Sequence, residues 1–210
     1  MKYAILIDAG FVKQRLGSTK KPIGVQTVVA VIDRICAEFP RSDQMLYRVF
    51  FYDAPPFQKT VKAPLGKKRV DLGKLPLVKA NLRLHKDLAS VDFLSLRMGE
   101  TRMRGWKVKS QKLPSDQSGV EITPDDIEPN IQQKGVDMRI GLDIASLVLK
   151  KQVDMVVLVS SDSDFVPPLK FARREGVQVA LVLLGTTNYH ESIIEHSDFV
   201  IDINIADLNN

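Results

Sequence analysis

The sequence predicts an α/β protein whose mainly parallel sheet is covered by helices on both faces. Two observations lead to this fold class. Strand-length apolar runs alternate along the chain with segments of helical periodicity, an order typical of βα units. The run at residues 3–7 is apolar throughout, and the runs at 153–159 and 177–184 contain one polar residue each, as expected of strands buried on both faces. The length of 210 residues and the hydrophobic share of 44% suit one globular domain.

The first elements follow from apolar spacing and from residues that end helices. Residues 3–7 form the first predicted strand, which ends at Asp8. A helix is predicted at 25–39, because its apolar residues recur at helical intervals and Pro40 stops it. Residues 45–52 are predicted to form a second apolar strand.

The middle of the chain is more polar. A basic loop is predicted at 57–73, followed by a helix at 75–88 and a strand at 91–98. Residues 106–109 are expected to pair with that strand as a short hairpin. Residues 113–130 are rich in Pro, Asp and Ser and are predicted to form a surface loop.

The last third returns to a regular alternation of helices and strands. An amphipathic helix is predicted at 136–149 and a very apolar strand at 153–159. The next helix, at 165–175, ends where Gly176 supplies a C-terminal glycine. An apolar strand at 177–184 follows. The last helix and strand are predicted at 188–196 and 199–203.

Basic side chains are concentrated in the middle of the chain. Between Lys59 and Lys112 there are 15 Lys or Arg and four Asp or Glu, a local balance of +11 that leaves −6 for the rest. Such a division is expected when one surface attracts polyanions and another holds cations. The alternative is a solvated surface whose sign varies along the chain. We predict a single domain at 1–205 with a basic elaboration at about 54–130.

The sequence excludes some classes of protein and binding site and gives no support to others. Cys36 is alone, which excludes an internal disulfide and a zinc site built on cysteine pairs. No apolar stretch approaches about 18 residues, and Asp8 comes too early for a signal peptide, so we expect a soluble cytoplasmic protein without a membrane partner. Neither a Walker loop nor a Gly-x-Gly-x-x-Gly segment occurs, so neither kind of nucleotide site is supported.

Carboxylates follow the predicted strands at the positions where α/β proteins bind ligands. Asp8 ends the first strand, Asp162 and Asp164 follow the strand at 153–159, and Asp137 begins a helix. Ligands of parallel sheets bind outside the carboxyl ends of the strands. Carboxylates brought together there repel each other unless a cation lies between them. Oxygen ligands favour Mg²⁺ or Mn²⁺ over zinc, so the pattern predicts a site for one of these ions.

Each acid also has an ordinary structural interpretation. Asp164 is a candidate N-cap for the helix that follows, and Asp137 suits the first turn of its helix. Asp8 could cap the turn that Gly10 makes. Asp143 lies about 120° around the helix from Asp137, so it is expected to support the site from behind the ligands or to have a structural role only.

Other polar residues receive lesser roles. Asp53 also ends a strand, and either the rim of the site or a turn explains it. The three histidines, His85, His190 and His196, are expected at the surface or at helix ends rather than as ligands. Ser160 is expected to form hydrogen bonds at its strand end rather than to act as a nucleophile.

Four segments, in order along the chain, resemble a known family. They are ILIDAGF (5–11), FYDAPP (51–56), QKGVD (133–137) and LVSSDSDF (158–165). Together they resemble the NYN domain and, more narrowly, the bacterial LabA-like branch of the PIN-like nucleases. This resemblance implies a PIN-like three-layer αβα fold and a metal-dependent ribonuclease.

The resemblance also implies roles for individual residues. By this resemblance, the catalytic, metal-binding acids are expected to be Asp8, Asp137, Asp162 and Asp164, with Lys134 and Ser160 beside them. Many members of the wider family have Asn three residues after the first Asp, whereas this chain has Phe11, which removes a polar group from the site.

Phosphodiester hydrolysis on RNA is the function that these observations favour. The bound ion would activate a water, and basic side chains would contact the flanking phosphates. The leading candidates for those contacts are Lys67, Lys68, Arg69, Arg102, Arg104 and Lys107. The sequence leaves a homodimer open. One alternative is a non-catalytic module that binds nucleic acid or a protein; the other is a phosphatase or nucleotidyl-transfer enzyme acting on a small substrate.

Overall fold

A computed structural model describes residues 1–40, 43–66, 68–112 and 119–208. The strands of this part of the chain are β1 (Lys2–Asp8), β2 (Met45–Asp53), β3 (Thr60–Lys62), β4 (Arg69–Asp71), β5 (Leu94–Met98), β6 (Glu100–Val108), β7 (Ile127–Lys134), β8 (Met155–Val159), β9 (Gln178–Val182) and β10 (Phe199–Ile201). Its α-helices are α1 (Ala9–Leu16), α2 (Val25–Ala37), α3 (Pro76–Leu88), α4 (Val136–Leu149), α5 (Val166–Arg174) and α6 (Glu191–Glu195).

A six-stranded sheet forms the centre of the molecule, in the order β10, β9, β8, β1, β2, β5. Every neighbouring pair in this sheet is parallel. The chain passes from β1 to β2 on one side and later returns to β8 on the other, so the strand order reverses at β1. The carboxyl ends of β1 and β8 therefore lie side by side at the position where ligands of such sheets bind.

Two apolar layers cover the sheet, which confirms the predicted three-layer α/β fold. Along β1, alternate residues face opposite layers, as the period of a strand requires. Ile5 and Ile7 pack in the layer that contains α1, α2 and α3, whereas Ala4 and Leu6 pack in the layer of α4, α5 and α6. All four of these β1 residues are fully buried. A continuously apolar strand is what a sheet covered on both faces needs.

Two predictions about the middle of the chain were wrong. The segment at 106–109 does not pair with β5; it belongs to the long strand β6, whose antiparallel partner is β7. Residues 127–130, predicted as loop, are the first part of β7. Sequence alone did not suggest this strand because it contains Pro129 and polar residues, and its ladder partner lies about 25 residues away. Residues 113–118 of the predicted loop lie outside the described residues.

The basic loop predicted at 57–73 contains a short hairpin. Strands β3 and β4 pair antiparallel there, and a 3₁₀ turn at Leu72–Lys74 leads into α3. The boundaries of the predicted domain, 1–205, and of its basic elaboration, 54–130, stay a prediction. Within the described residues, no helix combines the length and the apolar composition that a bilayer-spanning segment requires.

Candidate active site

A cavity of about 510 Å³ opens at the carboxyl ends of β1 and β8. Its wall includes three carboxylates, from Asp8, Asp137 and Asp162, together with the hydroxyl of Ser160. We call it the acid cavity. The structure thus brings three of the four acids predicted from the sequence to one site, although Asp8 and Asp162 are far apart in the chain.

Asp8 is held by three hydrogen bonds at the junction of β1 and α1. Its Oδ1 accepts from the backbone N–H of Gly10 at 2.9 Å and of Phe11 at 3.4 Å. Its Oδ2 accepts from the hydroxyl of Ser160 at 3.1 Å. The first two bonds make Asp8 the N-cap of α1, whereas its sequence position suggested only the cap of a turn at Gly10. Asp8 therefore caps the helix and lines the acid cavity at the same time.

The loop after β8 carries the second part of the site. Ser160 is fully buried, and its hydroxyl links the two strands by donating to Asp8 and accepting from the N–H of Asp162 at 3.3 Å. Asp162 in turn accepts from the N–H of Asp164 at 2.9 Å and caps the 3₁₀ turn at Ser163–Phe165. Asp162, rather than Asp164, is the capping residue, and α5 begins only at Val166.

Asp137 approaches the cavity from the first turn of α4. Gly135 precedes that helix with a φ of 73°, a left-handed conformation that glycine adopts without strain. This turn connects β7 to α4 in a single residue and sets Asp137 opposite the loop after β8. The side chain of Asp137 is exposed.

Burial and like charges raise the pKa of two of the acids. For Asp8, burial is the main cause, the charge of Asp137 adds to it, and the hydrogen bonds from Phe11, Ser160 and Gly10 oppose it. For Asp137, partial burial raises the pKa most, followed by the charges of Asp162 and Asp164. These carboxylates are thus close enough to repel each other, and a bound cation would relieve that repulsion.

The donor chemistry of the cavity fits a hard divalent ion. Carboxylate and hydroxyl oxygens are ligands that Mg²⁺ and Mn²⁺ accept, and no described sulfur atom lines the wall. Among the described residues, however, no three His, Cys, Asp or Glu side chains are gathered closely enough to form a ligand set. The acids share a wall without converging on one point.

Comparison with known proteins identifies the family. The sequence model of the NYN domain matches residues 79–204, which is more than half of the chain. The chain belongs to the NYN domain family. NYN domains are placed in the PIN-like nuclease superfamily and are generally ribonuclease-like hydrolases that use divalent metals. The matched segment includes Asp137, Asp162 and Asp164, whereas Asp8 precedes it.

Two individual proteins resemble this NYN domain. The uncharacterized protein MJ0482 of Methanocaldococcus jannaschii is 29% identical over 76 residues, which are 36% of this chain and 31% of that protein. The chain thus matches about a third of the length of this curated relative. The crystal structure of VPA0982, a protein of unknown function from Vibrio parahaemolyticus, superimposes with a TM-score of 0.53 at 16% identity, covering 97% of this chain and 93% of the other. This second likeness supports the fold.

The remaining acids and Lys134 have different positions in the NYN domain. Asp164 is exposed beside a neighbouring cavity that Asp137 also lines. Asp143 accepts a hydrogen bond from the hydroxyl of Tyr52 at 3.0 Å and forms an ion pair with Arg97 at 3.1 Å, in a separate cavity behind α4. These contacts suit its structural interpretation. Lys134 is exposed at the end of β7, one residue before Gly135.

The predicted phosphate-contacting residues lie on both small hairpins, and all the described ones are exposed. They are Lys68 and Arg69 at β4, and Arg102, Arg104 and Lys107 on β6. Two of them have acidic partners: Arg102 pairs with Glu100 at 2.8 Å and Lys107 with Glu128 at 3.1 Å. The cross-strand partner of Arg102 is Gln132, next to a residue of the cavity wall, so β6 leads directly to the site. Lys67 lies outside the described residues.

Sequence analysis missed a buried network behind the cavity. Asp53 ends β2 and is completely buried, not at the rim. It accepts hydrogen bonds from Lys13, from His85 at 2.6 Å and from Gln133 at 3.1 Å, in addition to the N–H of Ala54 at 2.8 Å. Burial alone would raise the pKa of Asp53, but the bonds from His85 and Lys13 outweigh it and hold this pKa below its usual value.

The partners of Asp53 were missed for identifiable reasons. His85 was expected at the surface or a helix end; it does lie in the last turn of α3, but its ring points into the interior. Lys13 belongs to α1, a helix of eight residues that starts without any loop after β1 and that the sequence pattern did not reveal. His190, which caps α6 and so occupies a helix end as expected, also lines the acid cavity.

Proposed function

We propose that this NYN domain is a metal-dependent ribonuclease that hydrolyses RNA phosphodiester bonds at the acid cavity. One observation carries the proposal. Asp8, Asp137 and Asp162, which come from three separate parts of the chain, line one cavity at the reversal point of a parallel sheet. In a family of generally ribonuclease-like hydrolases, this is the position expected for the reaction.

Within the family, we assign the chain to the LabA-like branch. The four segments that support this assignment are distant in sequence, and they meet around the same edge of the sheet. The segments at 5–11 and 158–165 supply Asp8 and Asp162, and the segment at 133–137 supplies Asp137. The segment at 51–56 supplies the buried Asp53. As part of the proposal the enzyme acts in the cytoplasm, where a lone cysteine such as Cys36 is an ordinary feature.

In the proposed reaction, the residues that would hold Mg²⁺ or Mn²⁺ are Asp8, Asp137 and Asp162. Such an ion supplies a water that is acidic enough to react near neutral pH and a positive charge opposite the phosphate. The chain contributes orientation: Ser160 and the first turn of α1 fix both oxygens of Asp8. The N–H of Asp164 donates to Asp162 and so fixes the position of that carboxylate. The carboxylate of Asp164 lies beside the neighbouring cavity, so its proposed role is limited to the negative charge that it places near Asp137.

The substrate in this proposal is an RNA strand that crosses the acid cavity and continues along β6. The exposed side chains of Arg102, Arg104 and Lys107 would contact its phosphates. Lys68 and Arg69 would extend the contact on the second hairpin. Contacts of this type position a strand without reading its bases.

A cleavage assay with matched variants tests the proposal. We expect the wild type to cut single-stranded RNA when Mg²⁺ or Mn²⁺ is added and not in EDTA. Asp162→Asn should lower the rate by at least about a hundredfold, the range seen when charge stabilisation at a reacting group is lost. The control is Asp92→Asn, which changes an exposed acid before β5, near the opposite edge of the sheet, and should leave the rate unchanged.

Thermal unfolding separates loss of the site from loss of the fold. Mg²⁺ or Mn²⁺ should raise the melting temperature of the wild type and of Asp92→Asn, and have no effect on Asp162→Asn. Equal residual cleavage by the wild type and Asp162→Asn, with no stabilisation by either ion, would overturn the proposal.

A binding module without catalysis is the second candidate, and one residue favours it. Phe11 lines the acid cavity where many members of the wider family have Asn, and its side chain is buried in the apolar layer below. The wall therefore lacks an amide at this point. RNA binding without cleavage under any of the metal conditions above would support this candidate.

A further inference from the structure

We propose that a second cavity, next to the acid cavity, binds one unstacked base of the RNA strand. This inference rests on the proposed function and adds to it a site for the substrate. The second cavity has a volume of about 490 Å³. It lies between α1, the loop that follows α1, and the first turns of α3, and we call it the base pocket.

The base pocket adjoins the acid cavity. Gln14 and Gln133 line both of them. An RNA strand with a phosphate at the acids would therefore have a neighbouring nucleoside close to the base pocket. Proteins that recognise single-stranded RNA commonly take unstacked bases in this manner.

The walls of the base pocket suit a flat, partly apolar group. Pro22, Ile23 and Leu77 supply aliphatic surface. Gly17 allows two of the walls to approach closely, because a Cβ at this position would lie 2.9 Å from Cγ2 of Ile23. The volume falls within the range of about 300–1,000 Å³ that is usual for small-molecule sites. A base fits such a space, whereas a duplex does not.

The polar edge of the base pocket is fixed from behind by Asp53. An ionised, buried carboxylate only accepts hydrogen bonds, so Gln133 must turn its amide NH₂ toward Asp53. The carbonyl oxygen of Gln133 is then left to accept from another group. Asn81 likewise donates its NH₂ to the carbonyl of Leu77 at 3.0 Å, which leaves its own carbonyl oxygen as an acceptor. Such acceptors match the amino and imino groups on the edge of a base.

The charged groups around the base pocket neutralise each other, which favours a neutral ligand. The cation in its wall, Lys13, is paired with Asp53, which also contacts His85. A phosphate would find no uncompensated positive charge among the described residues of this wall. A base brings hydrogen-bonding groups and an aromatic face but no charge. The pocket therefore suits the base, and the exposed cations of β6 suit the phosphates.

Photo-crosslinking locates the base directly. Short single-stranded RNAs that contain 4-thiouridine or 6-thioguanosine would be bound to Asp162→Asn, which is not expected to cleave them, and irradiated. Mass spectrometry then identifies the peptides that carry the crosslink. We expect crosslinks on the segments that contain Ile23 or Leu77. Crosslinks confined to β6, which supplies no residue to the pocket wall, would overturn the inference.

Two leucines of α3 provide a matched pair of variants in the same background. Leu77 lies in the pocket wall and is 38% exposed, whereas Leu82 lies outside that wall and is 36% exposed. Leu77→Trp fills the pocket and should lower the crosslink yield at Ile23 at least about fivefold, while Leu82→Trp should not change it. Equal yields from the two variants would contradict the base pocket. Both leucines are at the surface, and a thermal melt checks that both variants fold.

The outcomes distinguish this inference from the proposed function. If the wild type cleaves RNA but no crosslink reaches the pocket, the base pocket is wrong and the ribonuclease stands. If RNA is not cleaved but the crosslinks appear and depend on Leu77, the base pocket stands and the catalytic proposal fails.

Discussion

Asp53 shows how a single buried charge organises the neighbourhood of the site. It is completely buried, and its hydrogen-bonding partners come from α1, α3 and β7 as well as from its own strand. A buried carboxylate is tolerated only when it is paired and hydrogen-bonded. Asp53 therefore fixes the relative positions of the elements that carry Lys13, His85 and Gln133.

Replacement of Asp53 should make stability depend less on pH. The folded protein holds the pKa of Asp53 below its usual value, so the ionised group stabilises the fold at neutral pH. This contribution is present above the unfolded pKa of about 3.9 and is lost as the pH falls through the folded pKa. Asp53→Asn should lower the free energy of unfolding by about 3 kcal/mol at pH 7, the cost of breaking a buried ion pair.

Denaturant unfolding at pH 7, 5 and 3 measures this dependence. The difference between the wild type and Asp53→Asn should shrink between pH 5 and pH 3. Asp92→Asn, an exposed acid, serves as the control and should stay close to the wild type throughout. A difference that is constant over the whole range would mean that ionised Asp53 does not stabilise the fold.

The location of a site residue could be predicted from the sequence where the residue lies at the end of a recognisable strand. Asp8 ends β1 and Asp162 follows β8, so the strand assignments alone placed both acids at the carboxyl edge of the sheet, and the pairing of β1 with β8 then brought them together. Asp53 also ends a strand, but its strand lies on the other side of β1, and its burial depends on Lys13 and Gln133, which come from elements that the sequence pattern did not reveal. The sequence shows that an acid ends this strand, but its burial depends on residues from other elements that pack over it.

At the scale of elements, the entry into β6 is packed against the exit from β7. Gly99 lies between β5 and β6, and its N–H donates to the carbonyl of Asp53 at 2.7 Å. A Cβ at this position would lie 2.6 Å from the carbonyl oxygen of Lys134 and 2.9 Å from Cγ2 of Val136. Only glycine permits this approach of two backbone segments, one of which leads directly to Asp137.

Alanine at two glycines should therefore have opposite effects. Gly99→Ala must displace the backbone of Lys134 and should lower the free energy of unfolding by about 1–3 kcal/mol, the usual cost of overpacking. Gly141 lies inside α4, where the nearest atom to an added Cβ is Cγ of Pro168 at 3.9 Å. Gly141→Ala should raise stability by about 0.5–1 kcal/mol because alanine favours the helix.

Chemical denaturation of both variants decides this prediction. If Gly99→Ala were as stable as the wild type, the junction would not be tightly packed. The Gly141→Ala variant shows whether the method resolves a change of less than 1 kcal/mol. The two changes in the free energy of unfolding are expected to have opposite signs, so a systematic error in the measurement could not produce both.

Long, buried elements were predicted well, and short or edge elements were not. Helix α2 and strand β8 are bounded close to the predicted residues because their apolar patterns are strong. Helix α1 is short, and the cap that starts it, Asp8, belongs to the preceding strand. Strands β6 and β7 are largely half-buried or exposed and are stabilised by pairing with each other, which a local pattern does not record.

At the scale of the whole molecule, positive and negative charges serve separate surfaces. The segment from Lys59 to Lys112 is strongly basic, whereas the acid cavity is lined by residues from outside it. The described basic candidates are exposed on two hairpins that project from the sheet. In the proposed function, RNA would be attracted by the basic hairpins and the cation would be bound at the acid cavity, two different parts of the surface.

RNA affinity should therefore depend strongly on salt. If about five basic side chains contact phosphate, the logarithm of the association constant should fall with the logarithm of salt concentration with a slope of about −3.5 for a single strand. Fluorescence anisotropy at several salt concentrations measures this slope. Arg104→Ala should reduce its magnitude by about 0.7.

The control for this measurement is Arg34→Ala. Arg34 lies on α2 and forms an ion pair with Glu38 at 3.5 Å, in the opposite part of the molecule from β6. Its replacement should leave the slope unchanged. A salt-dependence slope near zero for the wild type would show that the basic hairpins do not contact the RNA phosphates.

The order of strands was beyond what the sequence could predict. The alternation of apolar strands and helices predicts a parallel sheet, and that prediction is confirmed. Which strand neighbours which depends on contacts between distant segments, and β1 pairs with β8 across some 150 residues. The acid cavity exists because of that pairing. Its existence was therefore a hypothesis until the topology was known.

The hydrogen bond between Asp8 and Ser160 has a consequence for biosynthesis. Its two partners are separated by 152 positions, so they can meet only after the strand β8 and the residue that follows it have been synthesised. Until then the growing polypeptide carries the basic segment, Asp8 and Asp137, but not the loop that supplies Ser160 and Asp162. On the proposed function, a nascent chain could therefore bind RNA through its basic segment before it could cleave it.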